Sequence, residues 1–208
     1  MTNVKHEFTT SVGRLVQGSP FEGQEKNMEG KPYTDANGQP AKRWFIGVAF
    51  PKTDQHMAQI FAKMGEVARA GFPRGEFNAP AFAWKVIDGD SVDSKGRPYS
   101  EREGFAGHYV VRFTSGFPPK CYDASAAVLT DPNAIKRGYY IRVAGNVAPN
   151  YNQTKPGLYW NFNLVQLCGY GPEIVTGPDG AAVFGAQPFA LPAGASATPL
   201  APQAMPAA

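Results

Sequence analysis

In four stretches of this chain a cation, an aromatic ring or both recur on alternate residues, and in a strand alternate residues share a face. AKRWFIGVAF sets Arg43 with Phe45, GHYVVRFTS sets Arg112 with Thr114, GYYIRV sets Tyr140 with Arg142, and GLYWNFNL sets Tyr159 with Asn161 and Asn163. Side by side, such groups suit one ligand class. Arginine and lysine hold phosphate oxygens, and a flat ring receives a base by stacking, worth about 1–3 kcal/mol per base in single-stranded nucleic acid. The candidate binding residues are Arg43, Phe45, Arg112, Tyr140, Arg142 and Tyr159. Lys120 beside Tyr122, Tyr151 and Lys155 in the loop APNYNQTKPG, and Trp44 as a further ring extend the set.

The intervening positions are apolar and are expected to face a core. They are Trp44, Ile46, Val48 and Phe50, then Tyr109, Val111 and Phe113, then Tyr139, Ile141 and Val143, then Leu158, Trp160 and Phe162. On the second face of the first strand Gly47 and Ala49 are small, which leaves room for a flat object over the strand. A one-residue slip or a bulge would exchange the two faces, so the phase of each strand decides the site.

The rival chemistry sits in WKVIDGDSVD, where Asp88, Asp90 and Asp93 could collect a divalent cation for phosphodiester hydrolysis. The run resembles the start of a calcium loop but carries Tyr99 where the bidentate glutamate belongs, so an acidic turn is expected instead. No glycine-rich phosphate loop, dinucleotide fingerprint or readable Ser, His and Asp arrangement occurs. His6, His56 and His108 lie far apart, and Cys121 and Cys168 show no paired spacing. No enzyme, cofactor or metal is expected.

The elements that must position these residues follow from periodicity. Met57, Ile60, Phe61, Met64, Val67 and Ala68 repeat at helical spacing, with Thr53 or Asp54 as N-cap and Gly71-Phe72-Pro73 as the stop. TTSVGRLVQ and AFAWKVI are weaker strand candidates, and residues 72–106 are otherwise loop-like. About five strands, one helix and long loops predict a mainly β (α+β) domain. Absence of a regular strand-helix alternation argues against a doubly wound parallel sheet. A small barrel or sandwich remains, and among barrels the five-stranded OB type binds oligonucleotides across one face.

The 208 residues, 43% hydrophobic and 12% aromatic, suffice for one domain with a real core. The net charge of +3 is mild, but the 105–170 segment holds six Lys and Arg against two Asp, a local net of +4. The basic excess thus coincides with the aromatic strands. No signal core and no run of roughly 18 apolar residues is present, so no membrane association is expected. From residue 173 to 208 the chain is rich in Ala, Pro and Gly with few charges, a composition predicting a disordered tail after an ordered domain over 1–172.

The order of segments also matters. FPK (Phe50 to Lys52), the helix, IDGD (Ile87 to Asp90), AGHYVVRFTS, a P-x-x-x-D segment, LTDPNAIKRGYYIRV (Leu129 to Val143) and GLYWNFNLVQL (Gly157 to Leu167) resemble a family of bacteriophage single-stranded DNA-binding proteins with an OB-fold. The resemblance covers roughly residues 10–170. It implies a five-stranded OB-fold barrel that coats single-stranded DNA during phage replication and recombination, in the cytoplasm of a bacterial host, without enzymatic activity. Replication or recombination proteins are the implied partners. Many replicative single-strand binders recruit partners through an acidic tail, whereas PLAPQAMPAA here is uncharged. Two alternatives stay open at this point. One is a structural or carbohydrate-binding β domain of a virion, which the acid-poor 105–170 segment disfavours, and the other is a nuclease using Asp88 and Asp90.

Overall fold

In the computed structural model the described residues are 4–175, apart from 28 and 36, together with 177, 185 and 192. The strands are β1 (His6–Thr9), β2 (Gly13–Gln24), β3 (Arg43–Pro51), β4 (Val86–Asp88), β5 (His108–Ser115), β6 (Lys120–Tyr122), β7 (Val128–Leu129), β8 (Tyr140–Asn150) and β9 (Gly157–Gly169). Among the described residues a single α-helix, α1 (Gln55–Gly71), follows β3. The five longest strands carry the fold. β2 pairs with β3, β3 with β5, β5 with β9 through Thr114 and Asn161, β9 with β8, and β8 back with β2, so the hydrogen bonding returns to its starting strand. The β5–β9 pair is parallel and the other four are antiparallel. β1, β4, β6 and β7 are short additions, two to four residues each, too brief for a periodic signal.

The helix forms as its spacing predicts. Asp54 caps it by accepting the Met57 N–H at 3.0 Å, and Met57, Ile60, Met64, Val67 and Ala68 are buried. These side chains close over the apolar interior of the sheet, where Ile46, Val48, Phe50, Val111, Phe113 and Trp160 are fully buried. The phases of β3, β5, β8 and β9 expected from the alternation hold at these positions. In β9 the phase survives only through a bulge. Ala144 pairs with Leu164 but Gly145 with Phe162, which leaves Asn163 unpaired and returns Val165 and Leu167 to the core. Gly145 belongs to this bulge, because a Cβ there would sit 1.9 Å from the Asn161 carbonyl oxygen.

The outer face of β2, β3 and β5 is less open than its composition suggests. Ala49 is 1% exposed and joins Val16 and Val110 in a second apolar cluster, covered by Phe105 and Ile174. The Gln17 side chain lies over Gly47, within 2.8 Å of where a Cβ would be. Neither small residue therefore leaves the strand bare for a ligand. Glu173 pairs with Lys136 at 3.0 Å and the Ile174 N–H bonds the Arg137 carbonyl, so both residues belong to the first compact unit, which ends at Ile174. The expected tail lies almost wholly outside the described residues.

The acidic turn is tied down by a lysine. Lys52 Nζ contacts Asp88 and reaches Asp90 at 2.8 Å, and it lies over the Tyr109 ring, 5.3 Å from the centroid. Hydrogen bonds from this ammonium lower both carboxyls below their ordinary pKa and raise that of Lys52. Asp93 turns away to Arg97 at 2.7 Å, and that hydrogen bond holds its pKa at about 2. Because these groups are depressed in the folded chain, their stabilisation is complete above about pH 4, the unfolded value, and is lost as pH falls through the folded one. Thermal unfolding followed by circular dichroism should show a midpoint that drops steeply from about pH 4 toward pH 2, with a shallower slope in Asp93→Asn.

Four loops share one turn. Asn27, Asp35, Asp93 and Asp123 each accept two backbone N–H groups with one side-chain oxygen, from residues two and four positions on. The residue three positions on is left-handed in every case: Gly30, Gly38 and Gly96 at φ 79, 77 and 77, but Ala126 at φ 65. Only the last carries a Cβ penalty. Ala126→Gly should stabilise by about 0.5–1 kcal/mol in chemical denaturation, and Gly96→Ala, with open space around its Cβ, should cost about 1 kcal/mol.

Candidate functional site

The closed circuit of strands sets outward-facing residues in rows across neighbouring strands. Ser19 pairs with Phe45, Phe45 with Thr114, Thr114 with Asn161, and Asn161 with Asn146. Their in-chain neighbours Ile46, Phe113, Trp160 and Phe162 are buried, which turns the row outward. Asn161 donates its amide to Asn146 Oδ1 at 3.1 Å. The row is therefore a ring, two hydroxyls and two amides, with Tyr159 at 43% exposure one step further along β9.

The next row is cationic. Arg112 pairs with Gly47 and donates its backbone N–H to Lys85. Its guanidinium is half-buried, burial lowers its pKa, and its Nε has no hydrogen-bond partner among the described residues. Lys85 is lowered by burial first and then by the charges of Lys155 and Arg112, so three cations crowd one place. Among the described residues none of them meets an acid. Arg14, Lys52, Arg97, Arg102 and Lys136 do. Lys85 also holds φ 61, a left-handed conformation that a lysine adopts only against a steric cost.

Tyr140 and Arg142 fall elsewhere. Arg142 pairs with Gln166, four residues along β8 from Asn146, or about 14 Å at strand spacing. Here Tyr122 and Arg142, with Thr9, Ala126, Leu164 and Gln166, line a hollow of about 320 Å³, and the Arg142 Nε–H bonds the Thr10 carbonyl at 3.2 Å. Lys120 opposes Leu164 and sits between the two groups, exposed. Tyr140 is 40% exposed at the far end.

The ten sequence candidates thus separate. Arg43, Phe45, Arg112, Lys155 and Tyr159 gather around the first group, and Tyr140 and Arg142 around the second, with Lys120 between. Trp44 does not join either. It continues the core-facing phase of Ile46 and packs half-buried against the main core and Gly23, its indole nitrogen enclosed. Tyr151 leans on Phe72 at the end of α1, ring centroids 5.4 Å apart, and its hydroxyl is near Gly71. Lys85 and Gln17 were not in the sequence-derived set. Lys85 sits just before a three-residue strand in a loop-rich region, and neither periodicity nor composition marks it.

The acidic turn offers no metal-centred alternative, since Lys52 occupies the space between Asp88 and Asp90. Among the described residues no group of three or more His, Cys, Asp or Glu side chains could hold a metal ion. What the face can do is hold a chain of alternating anions and flat rings.

Known proteins share this architecture. The single-stranded DNA-binding protein of bacteriophage Enc34 superposes with a TM-score of 0.58 at 17% identity, covering 86% of this chain and 89% of that one. The same protein in complex with ssDNA gives 0.56 at 18% identity, covering 81% and 89%. Gp2.5, a single-stranded DNA-binding protein encoded by bacteriophage T7, gives 0.52 at 15% identity, covering 91% and 99%. At such identities the likeness shows the fold. Among curated proteins none matches this sequence. A family profile described as Enterobacter phage Enc34, ssDNA-binding protein, matches residues 31–190, and with that span of 208 residues the chain belongs to this family.

Proposed function

We propose that the chain binds single-stranded DNA without strong sequence preference, protecting and organising it during phage replication and recombination. The observation that carries this reading is the outward row of Phe45, Thr114, Asn161 and Asn146 beside Arg112, Lys85 and Lys155, three cations with no acid partner among the described residues. Such a face attracts a polyanion and stacks its bases. The strand circuit β2-β3-β5-β9-β8 is read as a five-stranded OB-fold barrel, with the bases lying across its β3-β5-β9 side. Family membership supports the same reading, as does the related Enc34 protein, whose structure is a complex with ssDNA. Nothing in this function requires catalysis or a cofactor. No described helix is long and apolar enough to cross a membrane, and the bacterial host's cytoplasm is the setting proposed.

Titration of intrinsic fluorescence with poly-dT at several salt concentrations tests the reading, with duplex DNA and single-stranded RNA in parallel. Four phosphate contacts, at Arg43, Lys85, Arg112 and Lys155, predict that log K falls with log salt at a slope of about −3, since each contact contributes about 0.7. No binding at low salt would refute the proposal. Within the site, Phe45→Ala and Tyr159→Ala should each weaken binding about tenfold. Tyr140→Ala should weaken it much less if the DNA follows only the first group, and comparable losses in all three would place the second group on the DNA path.

A further inference from the structure

One large ring has no place in the fold. Phe117 is 79% exposed, more than any other large hydrophobic side chain among the described residues. It gains almost nothing from folding, yet its turn is held in shape. Ser115 Oγ accepts the Phe117 N–H at 3.2 Å and donates to the Phe117 carbonyl at 2.7 Å. Pro118 and Pro119 then restrict the backbone that follows.

The turn also keeps charge close. A Cβ on Gly116 would fall 2.5 Å from Arg43 Nη1, so the guanidinium lies directly over that glycine, beside Phe117. Lys120, three residues on, is exposed at the start of β6, and neither cation meets an acid among the described residues. Ser115 itself pairs with Trp44, one position along from the Phe45–Thr114 pair. The ring therefore stands just past the end of β5, two positions beyond Ser115, between the Arg43 guanidinium of β3 over Gly116 and Lys120 three residues on.

Resting on the single-stranded DNA reading, we propose that Phe117 is an additional stacking platform. It takes one base beyond Phe45, with the flanking phosphates on Arg43 and Lys120, and so leads the strand from the first group toward the second. A pinned turn suits this role because little entropy is lost when the base lands.

The full chain with Phe117→Ala should bind oligo-dT about tenfold more weakly, with an unchanged thermal midpoint. Phe117→Trp should restore affinity, and its added emission should be quenched by oligo-dT. Normal binding by Phe117→Ala, alongside weakened binding by Phe45→Ala, would overturn this inference and leave the DNA-binding reading intact. Failure of the unaltered chain to bind would overturn both. If Phe117→Ala instead abolishes self-association in sedimentation while DNA affinity stays intact, the ring belongs to a contact between copies and the inference falls.

Discussion

The burial of Trp160 sets the phase on which the rest of the molecule depends. The side chain is fully enclosed, and its ring lies 5.3 Å from Phe8, 5.7 Å from Phe113 and 6.1 Å from Phe61, so β1, β5 and α1 all close on one residue of β9. Its indole N–H reaches the Trp84 carbonyl at 3.1 Å, which satisfies the one polar group that such burial would otherwise leave unpaired. With Trp160 inward, Tyr159 and Asn161 have no choice but to face out. A slip of one residue would bury a phenol and two amides and expose an indole, a cost far above the few kcal/mol by which a domain is stable.

Charge is arranged with the same economy, by where pairing is present and where it is withheld. Lys52 joins the end of β3 to the turn after β4 through Asp88 and Asp90, and Gly89 lets that turn press against the Phe105 carbonyl, 1.8 Å from where a Cβ would be. Short motifs that are distant in sequence, FPK and IDGD, are therefore two halves of one contact. On the outward row the opposite holds. Lys155 and Arg112 both press their charge on Lys85, and among the described residues no acid meets any of the three, a cost that a bound phosphate would remove.

How much of this was legible in the sequence depends on whether a residue's surroundings are local. The alternation in β3, β5, β8 and β9 told which side chains turn inward, because a strand's period is a property of the strand alone. The capped helix was readable for the same reason. The burial of Ala49 is not legible in the alternation, because the residues that cover it, Phe105 and Ile174, come from a loop and from just beyond the last strand, where no period announces burial. The separation of Tyr140 and Arg142 from Phe45 was equally hidden. It arises from the stagger of β8 against β5, which is set by the parallel pairing of Thr114 with Asn161.

That stagger has a physical consequence for any strand of DNA on this surface. A path confined to Phe45, Arg112 and Tyr159 is short, and the hollow at Arg142 and Tyr122 begins about 14 Å further on. The bulge at Asn163 lies between them, and it exposes Leu164 opposite Lys120. An apolar edge and an ammonium that meets no acid among the described residues stand at that midpoint, the position a strand on the proposed path would cross. On this geometry the bulge does more than preserve the core phase of Val165 and Leu167. It also orders the outer face of β9, so that on the DNA path proposed above Lys120 would follow Tyr159 and precede Arg142.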